Sequence, residues 1–216
     1  MARMLPRRAI PVGAILLTLL ASGRVGARPP TAIEWRSLIR QRDRDRLRDW
    51  RATWIAALAN ARANGAATRI AAEGVLLQPD AAIVPAEARD GDYRCRVIRL
   101  GATQVGGMSY AALPPTRCRL AAGRFAMLGG GQRPAGRVWP LDELRFVFLG
   151  AVALGDEAGA LDYGRDPDRD MAGVLERIGS DRWRLVLPRP QWQSMLDVIE
   201  IAPAVSAPPP PRSSGG

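Results

Sequence analysis

The chain contains no histidine and no lysine, so all 31 of its basic residues are arginine. Without histidine, a Ser-His-Asp triad and a Cys-His pair are both excluded. The common catalytic zinc sites use histidine ligands and are excluded as well. General acid or base chemistry would have to come from aspartate, glutamate, tyrosine or a thiol. The sequence therefore predicts no metal and no cofactor, and it favours a non-catalytic function.

Cysteine is also scarce: the chain has only Cys95 and Cys118, which stand 23 residues apart. Each has an arginine on both sides and lies in a segment that predicts a β-strand. A bridge between neighbouring strands would stabilise the fold by about 3 kcal/mol in the chain-entropy model. A redox-active pair would favour a Cys-x-x-Cys spacing, which is absent. We therefore predict a structural disulfide.

An apolar run lies close to the N-terminus. Arginines within the first eight residues precede the apolar stretch 9–21, and Val25-Gly26-Ala27 supplies the small residues of a cleavage site. This three-part pattern predicts a secretory signal peptide over residues 1–27. The run is too short to span a bilayer comfortably, so we expect no transmembrane segment after leader removal. The sequence predicts a periplasmic or secreted protein.

The formal net charge is +10, and four of the arginines belong to the predicted leader. A basic balance normally indicates nucleic acid or an anionic surface as the partner. Export argues against nucleic acid, which leaves an anionic component of the cell envelope or a protein partner. The coding bias of a GC-rich bacterial genome, which the high content of Ala, Gly and Pro also indicates, would explain the arginines without any partner.

Helical periodicity dominates residues 31–78. Leu47, Trp50, Trp54 and Leu58 recur three or four residues apart and form one apolar stripe. A partner helix or a membrane surface could cover such a stripe. We expect it to pack on the protein's own sheet.

Residues 91–202 are predicted to be mainly β. The period-2 pattern predicts strands at 92–100, 117–120, 124–128, 144–154, 171–178, 182–187 and 195–201. The strand 144–154 is apolar on both faces, which an antiparallel strand with one wet face should not be. Some other element must cover its second face, and the N-terminal helices are the obvious candidate.

The predicted fold class is therefore α+β, with N-terminal helices packed on an antiparallel β-meander or small barrel. We expect a single domain over residues 31–202. The proline-rich tail, residues 203–216, should be disordered or extended.

Several motifs distributed along the chain resemble those of a bacterial exported family, the domain of unknown function 4893. The resemblance spans about 42–201 and depends on these runs: Asp45-Arg46-Leu47-Arg48, Gly91-Asp92-Tyr93-Arg94-Cys95-Arg96, Arg117-Cys118-Arg119, Tyr163-Gly164, Arg169-Asp170-Met171-Ala172-Gly173 and Arg182-Trp183-Arg184-Leu185. It implies an exported protein. It implies no activity, so no catalytic residue is transferred from it.

The candidate acidic residues lie in and just after the segment 155–170: Asp156, Glu157, Asp170 and Glu176. Two carboxylates across a cleft can hydrolyse a glycosidic bond without histidine. The run Asp166-x-Asp168-x-Asp170 resembles the first half of a calcium loop. Met171 and Arg177 stand where that loop needs Gly and Glu, so we predict a solvated loop and no metal.

The arginines beside the cysteines are the candidate anion-binding residues. If both cysteines face the core, these arginines share the opposite face of the sheet: Arg94, Arg96, Arg117 and Arg119. Like charges opposed on neighbouring strands are destabilising, and arginine forks match carboxylate and phosphate groups. The alternative is an exposed arginine face with local acidic partners.

The leading functional interpretation is a non-catalytic binding or envelope-interaction module, which predicts an exposed basic patch. One alternative is a carrier of a small apolar ligand in a β-barrel, which predicts an apolar cavity of roughly a few hundred Å³. The other is a histidine-free carboxylate hydrolase, which predicts a cleft with a carboxylate of raised pKa. The oligomeric state stays open.

Overall fold

The structure, a computed structural model, describes residues 34–191 and 194–204. The predicted leader, residues 1–27, lies outside the described residues, as do residues 205–216 of the predicted tail. Pro203, predicted to be the first residue of the tail, is instead the last residue of the final strand and pairs with Tyr93.

Four short helices form the N-terminal part of the described chain: α1 (Glu34–Leu38), α2 (Gln41–Arg48), α3 (Trp50–Ala61) and α4 (Ala67–Ala72), followed by a 3₁₀ turn (Gly74–Leu77). Gly65 separates α3 from α4 with a φ of 80°, a left-handed conformation that glycine adopts without strain. Trp54 and Leu58 of the predicted stripe are buried against the sheet. This agrees with the prediction that the stripe packs on the protein itself.

Nine strands follow in the described residues: β1 (Gly91–Leu100), β2 (Tyr110–Ala112), β3 (Thr116–Ala121), β4 (Arg124–Met127), β5 (Gln132–Pro140), β6 (Arg145–Leu154), β7 (Asp170–Gly179), β8 (Arg182–Pro188) and β9 (Leu196–Pro203). Each strand from β3 to β8 pairs antiparallel with the next along the chain. β1 pairs with β3 on one side and β9 on the other. These pairings close an eight-stranded antiparallel barrel, and the predicted α+β fold is confirmed.

Two strands, β2 and β5, are missing from the predicted set. β2 is only three residues long. It pairs with the C-terminal end of β1, whereas β3 pairs with the N-terminal half of the same strand. β5 contains Pro134, Gly136 and Pro140, which are poor strand formers. Pro134 lies one position beyond the last β4–β5 pair, so a backbone N–H is not needed there on the β4 side. The tertiary pairing therefore overrides the weak strand propensity.

The two apolar faces of β6 lie in different cores. Phe148 and Val152 belong to the core inside the barrel. Val147 and Leu149 lie on the outside of the barrel, in a core that they share with Ile39 after α1. The prediction that the N-terminal helices cover the second face of this strand is therefore confirmed.

The two ends of the barrel differ. At one end, the segment 81–90 crosses the opening: Ala88 packs against the interior core, and the N–H of Ile83 donates to the carbonyl of Arg177 at 2.8 Å. Tyr93 and Trp183 make an edge-to-face contact inside this closed end, with ring centroids 5.9 Å apart. The opposite end, where β1 finishes and β9 begins, contains a cavity, and we call it the open end.

Candidate functional site

The cavity at the open end has a volume of about 670 Å³. It lies above interior positions that large side chains fill, among them Phe125, Phe148 and Trp183. The volume falls within the range of small-molecule sites, roughly 300–1,000 Å³. The barrel therefore has a packed interior core and, at its open end, a cavity of binding size.

The cavity wall is mostly apolar. It is formed by inward side chains of five different strands: Val97, Met127, Val152, Met171 and Ile199. Leu113 and Pro115, from the link between β2 and β3, and the glycine turn 129–131 complete the rim. Such a wall suits the hydrocarbon part of a ligand, because burying apolar surface on it is favourable.

A small polar cluster lies at one side of the cavity. Arg99 of β1 and Asp197 of β9 are directly opposite in the strand register, and Arg99 Nε lies 3.8 Å from Asp197 Oδ2. The Ser194 hydroxyl donates to Asp197 Oδ1 at 2.5 Å, and Arg99 Nη2 donates to Gln132 Oε1. The cavity therefore combines apolar walls with a cation, a carboxylate, a hydroxyl and an amide.

Asp197 has an unusual protonation equilibrium. Asp197 is only 7% exposed, and this burial raises the pKa of its carboxyl to about 6 because the charged form loses its hydration. The hydrogen bond from Ser194 and the positive charge of Arg99 oppose this rise. The charge inside the cavity consequently changes in the mildly acidic range.

Sequence reasoning missed this cluster, although a signal was present. Tyr93, Cys95 and Val97 alternate on the inward face of β1, and Arg99 is the next residue of that series. Asp197 likewise precedes Ile199 and Ile201 on β9. A charged residue that continues an inward apolar series is unusual, because side chains two apart share one face of a strand.

The predicted disulfide is confirmed. Cys95 and Cys118 are bonded, with their Cα atoms 5.8 Å apart, and both are fully buried in the barrel core. Cys118 is directly opposite Tyr93 in the register, so the bridge runs diagonally from β1 to β3. It joins two strands of the cavity wall.

The four predicted anion-binding arginines lie on the outer face of the barrel, but in different surroundings. Arg96 donates to Glu73 and Glu200, at 2.9 Å for the second, and is partly buried. Arg119 forms a two-bond pair with Asp92 at 2.6 and 3.0 Å. Arg94 and Arg117 are exposed and directly opposite each other. Arg96 is therefore occupied by local carboxylates, and the other three face solvent.

The predicted acidic residues lie in different surroundings. Asp156 is exposed on the link between β6 and β7. Glu157 accepts the backbone N–H of Leu154 and pairs with Arg169, and both interactions lower the pKa of its carboxyl. Asp170 and Glu176 are six residues apart on β7, or about 20 Å. Glycosidase carboxylates are about 5 to 9.5 Å apart, so Asp170 and Glu176 cannot pair with each other, and a pair of one of them with Asp156 or Glu157 stays a prediction.

Asp170 belongs to a buried network that ties α2 to β7. Asp43 and Arg46 form a buried pair at 2.7 Å, and the Tyr163 hydroxyl donates to Asp43 at 2.6 Å. Asp170 accepts the N–H of Gly164 at 2.8 Å. Burial raises the pKa of the Asp170 carboxyl, and the Gly164 N–H and the charge of Arg40 oppose this. The network joins helix, loop and barrel.

Glu176 belongs to a second buried network. Its Oε2 accepts two bonds from Arg184, at 2.7 and 2.9 Å, and both side chains are fully buried. Arg184 also donates to backbone carbonyls of the 3₁₀ turn and the residues after it, including Leu76 at 3.0 Å and Gln78 at 2.7 Å. Glu176 and Arg184 therefore attach the end of the helical segment to the barrel.

Across residues 34–191 and 194–204, no group of three or more His, Cys, Asp or Glu side chains is arranged to hold a metal ion. No helix there has the length and apolar content that crossing a bilayer requires.

Comparisons with known proteins complete the description of the site. No curated protein and no solved structure matches the chain. A family model described as a domain of unknown function, DUF4893, matches residues 35–201, which include the helices, the barrel and the cavity. The chain therefore belongs to the DUF4893 family.

Proposed function

We propose that this protein binds a small, mainly apolar molecule at the open end of its barrel. The observation that carries this proposal is the cavity of about 670 Å³, with apolar walls and one polar cluster. Small-molecule sites typically combine an apolar lining with a few polar groups that fix orientation. Small closed barrels can hold one such ligand where side chains leave space.

The polar cluster indicates the chemistry of the ligand's head. Arg99 supplies N–H donors, and Asp197 and Ser194 supply oxygen acceptors. A buried polar group is costly unless it is hydrogen-bonded, so a bound molecule should present a matching group to this cluster. We expect an amphipathic ligand with a hydroxyl or carboxylic acid group on an apolar body.

The binding activity is proposed to be non-catalytic. Of the described residues that line the cavity, Asp197 is the acidic one, whereas hydrolysis by paired carboxylates needs two. We place the protein outside the cytoplasm. The predicted leader and the buried disulfide both support this location, because disulfides persist in oxidising compartments.

The first test is native mass spectrometry of the oxidised protein, purified from the periplasm without reductant. Bound non-covalent mass would identify the ligand class. The second test is titration with a fluorescent apolar probe that is excited above the absorption of tryptophan. We expect one saturable site, from which an alkyl carboxylic acid or alcohol displaces the probe.

A pair of matched variants locates that site. Met171→Trp adds a large ring inside the cavity and should abolish probe binding. Leu161→Trp adds the same ring to an exposed position outside the barrel and should leave binding unchanged. Circular dichroism checks that both variants fold. Full probe binding by folded Met171→Trp protein, or no saturable binding by the wild type, would refute the proposed function.

A further inference from the structure

Outward-facing arginines on four neighbouring strands define a second surface, independent of the cavity. We call it the arginine face, and its members are Arg94 on β1, Arg117 and Arg119 on β3, Arg124 on β4 and Arg137 on β5. All five side chains are exposed. The helices pack against other parts of the barrel wall, mainly β6 to β9 and the far end of β1. This side of the barrel is therefore open to solvent.

The register places the arginines in opposed pairs. Arg94 is directly opposite Arg117, and Arg124 is directly opposite Arg137. Neighbouring strands are about 4.8 Å apart, so each pair brings two guanidinium stems close together. Like charges directly opposite each other on a sheet are destabilising. An anionic partner would offset this repulsion.

Few carboxylates neutralise the face. Asp92 pairs with Arg119 at 2.6 Å and lies 3.9 Å from Arg117. Within the described part of the chain, Arg94, Arg124 and Arg137 form no ion pair. Exposed arginines on the helical side are of two kinds: Arg48 and Arg51 pair with aspartates, whereas Arg62 forms no ion pair within the described residues. The arginine face differs from that side in that its arginines lie directly opposite one another on neighbouring strands.

The other side chains of this surface favour a lipid over a protein. Between the arginines, the outward positions are alanines: Ala121, Ala126 and Ala135. Protein interfaces are rich in aromatic residues and poor in alanine, unlike this surface. Exposed Leu38 and Leu161 border the face beside Arg137. Association with anionic membranes combines buried apolar area with attraction between charges.

We propose that the arginine face docks the protein on the surface of an anionic phospholipid membrane. The guanidinium groups bind headgroup phosphates, whose oxygens match the planar fork of arginine. The strands hold the arginines on a rigid wall, so several of them contact the membrane at once. Each basic residue near such a surface contributes about 1 kcal/mol, or about fivefold in partitioning.

The experiment is co-sedimentation of the protein purified from the periplasm with vesicles of two compositions. One is phosphatidylcholine alone and the other contains phosphatidylglycerol as well. We expect binding to the second composition only, weakened by added salt. The double variants Arg94→Gln with Arg117→Gln, and Arg124→Gln with Arg137→Gln, should each weaken partitioning about 30-fold.

A matched control removes the same charge elsewhere. Arg48→Gln with Arg51→Gln changes two exposed arginines on the helical side and should retain most of the binding. Equal losses in the control and the face variants would overturn the proposal, as would equal binding to both vesicle compositions. Poly-glutamate tests the alternative partner: if it binds with the same arginine dependence and the vesicles do not bind, the face recognises an acidic protein and the proposal is wrong.

The cavity titration keeps the two proposals separate. None of the arginine-face residues lines the cavity, so the face variants should bind the fluorescent probe as the wild type does. Loss of vesicle binding with intact probe binding isolates the docking surface, and the Met171→Trp variant should show the reverse.

Discussion

Replacing Arg184 by methionine should be among the most damaging single changes in this protein. Arg184 is 0% exposed, and its guanidinium donates two bonds to the equally buried Glu176. The same group donates to the carbonyls of Leu76 and Gln78 and lies 4.4 Å from the ring centroid of Trp54. Methionine fills a similar volume but provides none of these donors.

The cost follows from what remains buried after the change. Glu176 keeps an ion pair with Arg145 at 3.1 Å through Oε1, but its buried Oε2 loses both of its bonds. Removing one partner of a buried ion pair costs about 3–5 kcal/mol. The carbonyls at the end of the 3₁₀ turn lose their donors too, and each unsatisfied group costs about 1–3 kcal/mol. We therefore expect a loss of at least about 3 kcal/mol in the free energy of unfolding.

Urea unfolding followed by tryptophan fluorescence measures this loss. The double variant Arg184→Met with Glu176→Leu also removes the Glu176 carboxylate, which lost its Arg184 bonds in the single variant. It should be more stable than Arg184→Met alone, because the two residues interact directly. The matched control is Arg177→Met, an arginine on the same barrel wall whose bonds go to the turn residues Gly179 and Ser180. A loss below about 1 kcal/mol for Arg184→Met would refute the reasoning that this buried pair holds the helices to the barrel.

Three further predictions concern the cavity, the disulfide and the loop network. Because the pKa of Asp197 is about 6 when folded and 3.8 ordinarily, the folded chain binds the proton more tightly. This tighter proton binding stabilises the folded chain fully below about pH 4, and the stabilisation is lost as the pH rises through about 6. In Asp197→Asn, the free energy of unfolding measured in urea should therefore vary by about 2–3 kcal/mol less across that range. Cys95→Ala with Cys118→Ala should lower the free energy of unfolding by about 3 kcal/mol, measured against the wild type with and without reductant. Tyr163→Phe removes a hydroxyl bonded to buried Asp43 at 2.6 Å and should cost about 1–3 kcal/mol in thermal unfolding.

Each of these expectations has a contrary result. An unchanged slope of stability against pH in Asp197→Asn would mean that this carboxyl titrates normally in the folded chain. Equal stability of the oxidised and reduced wild type would contradict a stabilising bridge. A Tyr163→Phe variant as stable as the wild type would show that solvent replaces the hydroxyl at Asp43.

Local patterns in the sequence were sufficient for the class of fold and for the disulfide. The stripe through Trp54 and Leu58 predicted helices that pack on the protein's own sheet. The apolar pattern on both faces of β6 predicted that the helices would cover it, because each face of a strand must be buried or wet. The matching contexts of Cys95 and Cys118 predicted neighbouring strands. These inferences depend on periodicity and on elements close together in the chain.

The candidate sites depend on contacts between distant residues. Arg99 and Asp197 meet because β1 and β9, almost a hundred residues apart, pair to close the barrel. The arginine face likewise depends on the register that places Arg124 of β4 opposite Arg137 of β5. β5 was not predicted from the sequence, because its proline and glycine residues are poor strand formers. Periodicity shows which residues share a face of one strand, but strand order and register are set by the whole fold.

The sequence by itself determined the arginine-only basic chemistry, the exclusion of histidine-based catalysis, the class of fold and the paired cysteines. These follow from residue identity and short-range spacing. Only the tertiary structure decided that the sheet closes and that a cavity lies at the open end of the barrel. It also decided that Arg96 is neutralised by Glu73 and Glu200 and that Glu176 is buried with Arg184. The physical reason is that burial, cavity volume and charge pairing are properties of surfaces that come together only when distant strands pair.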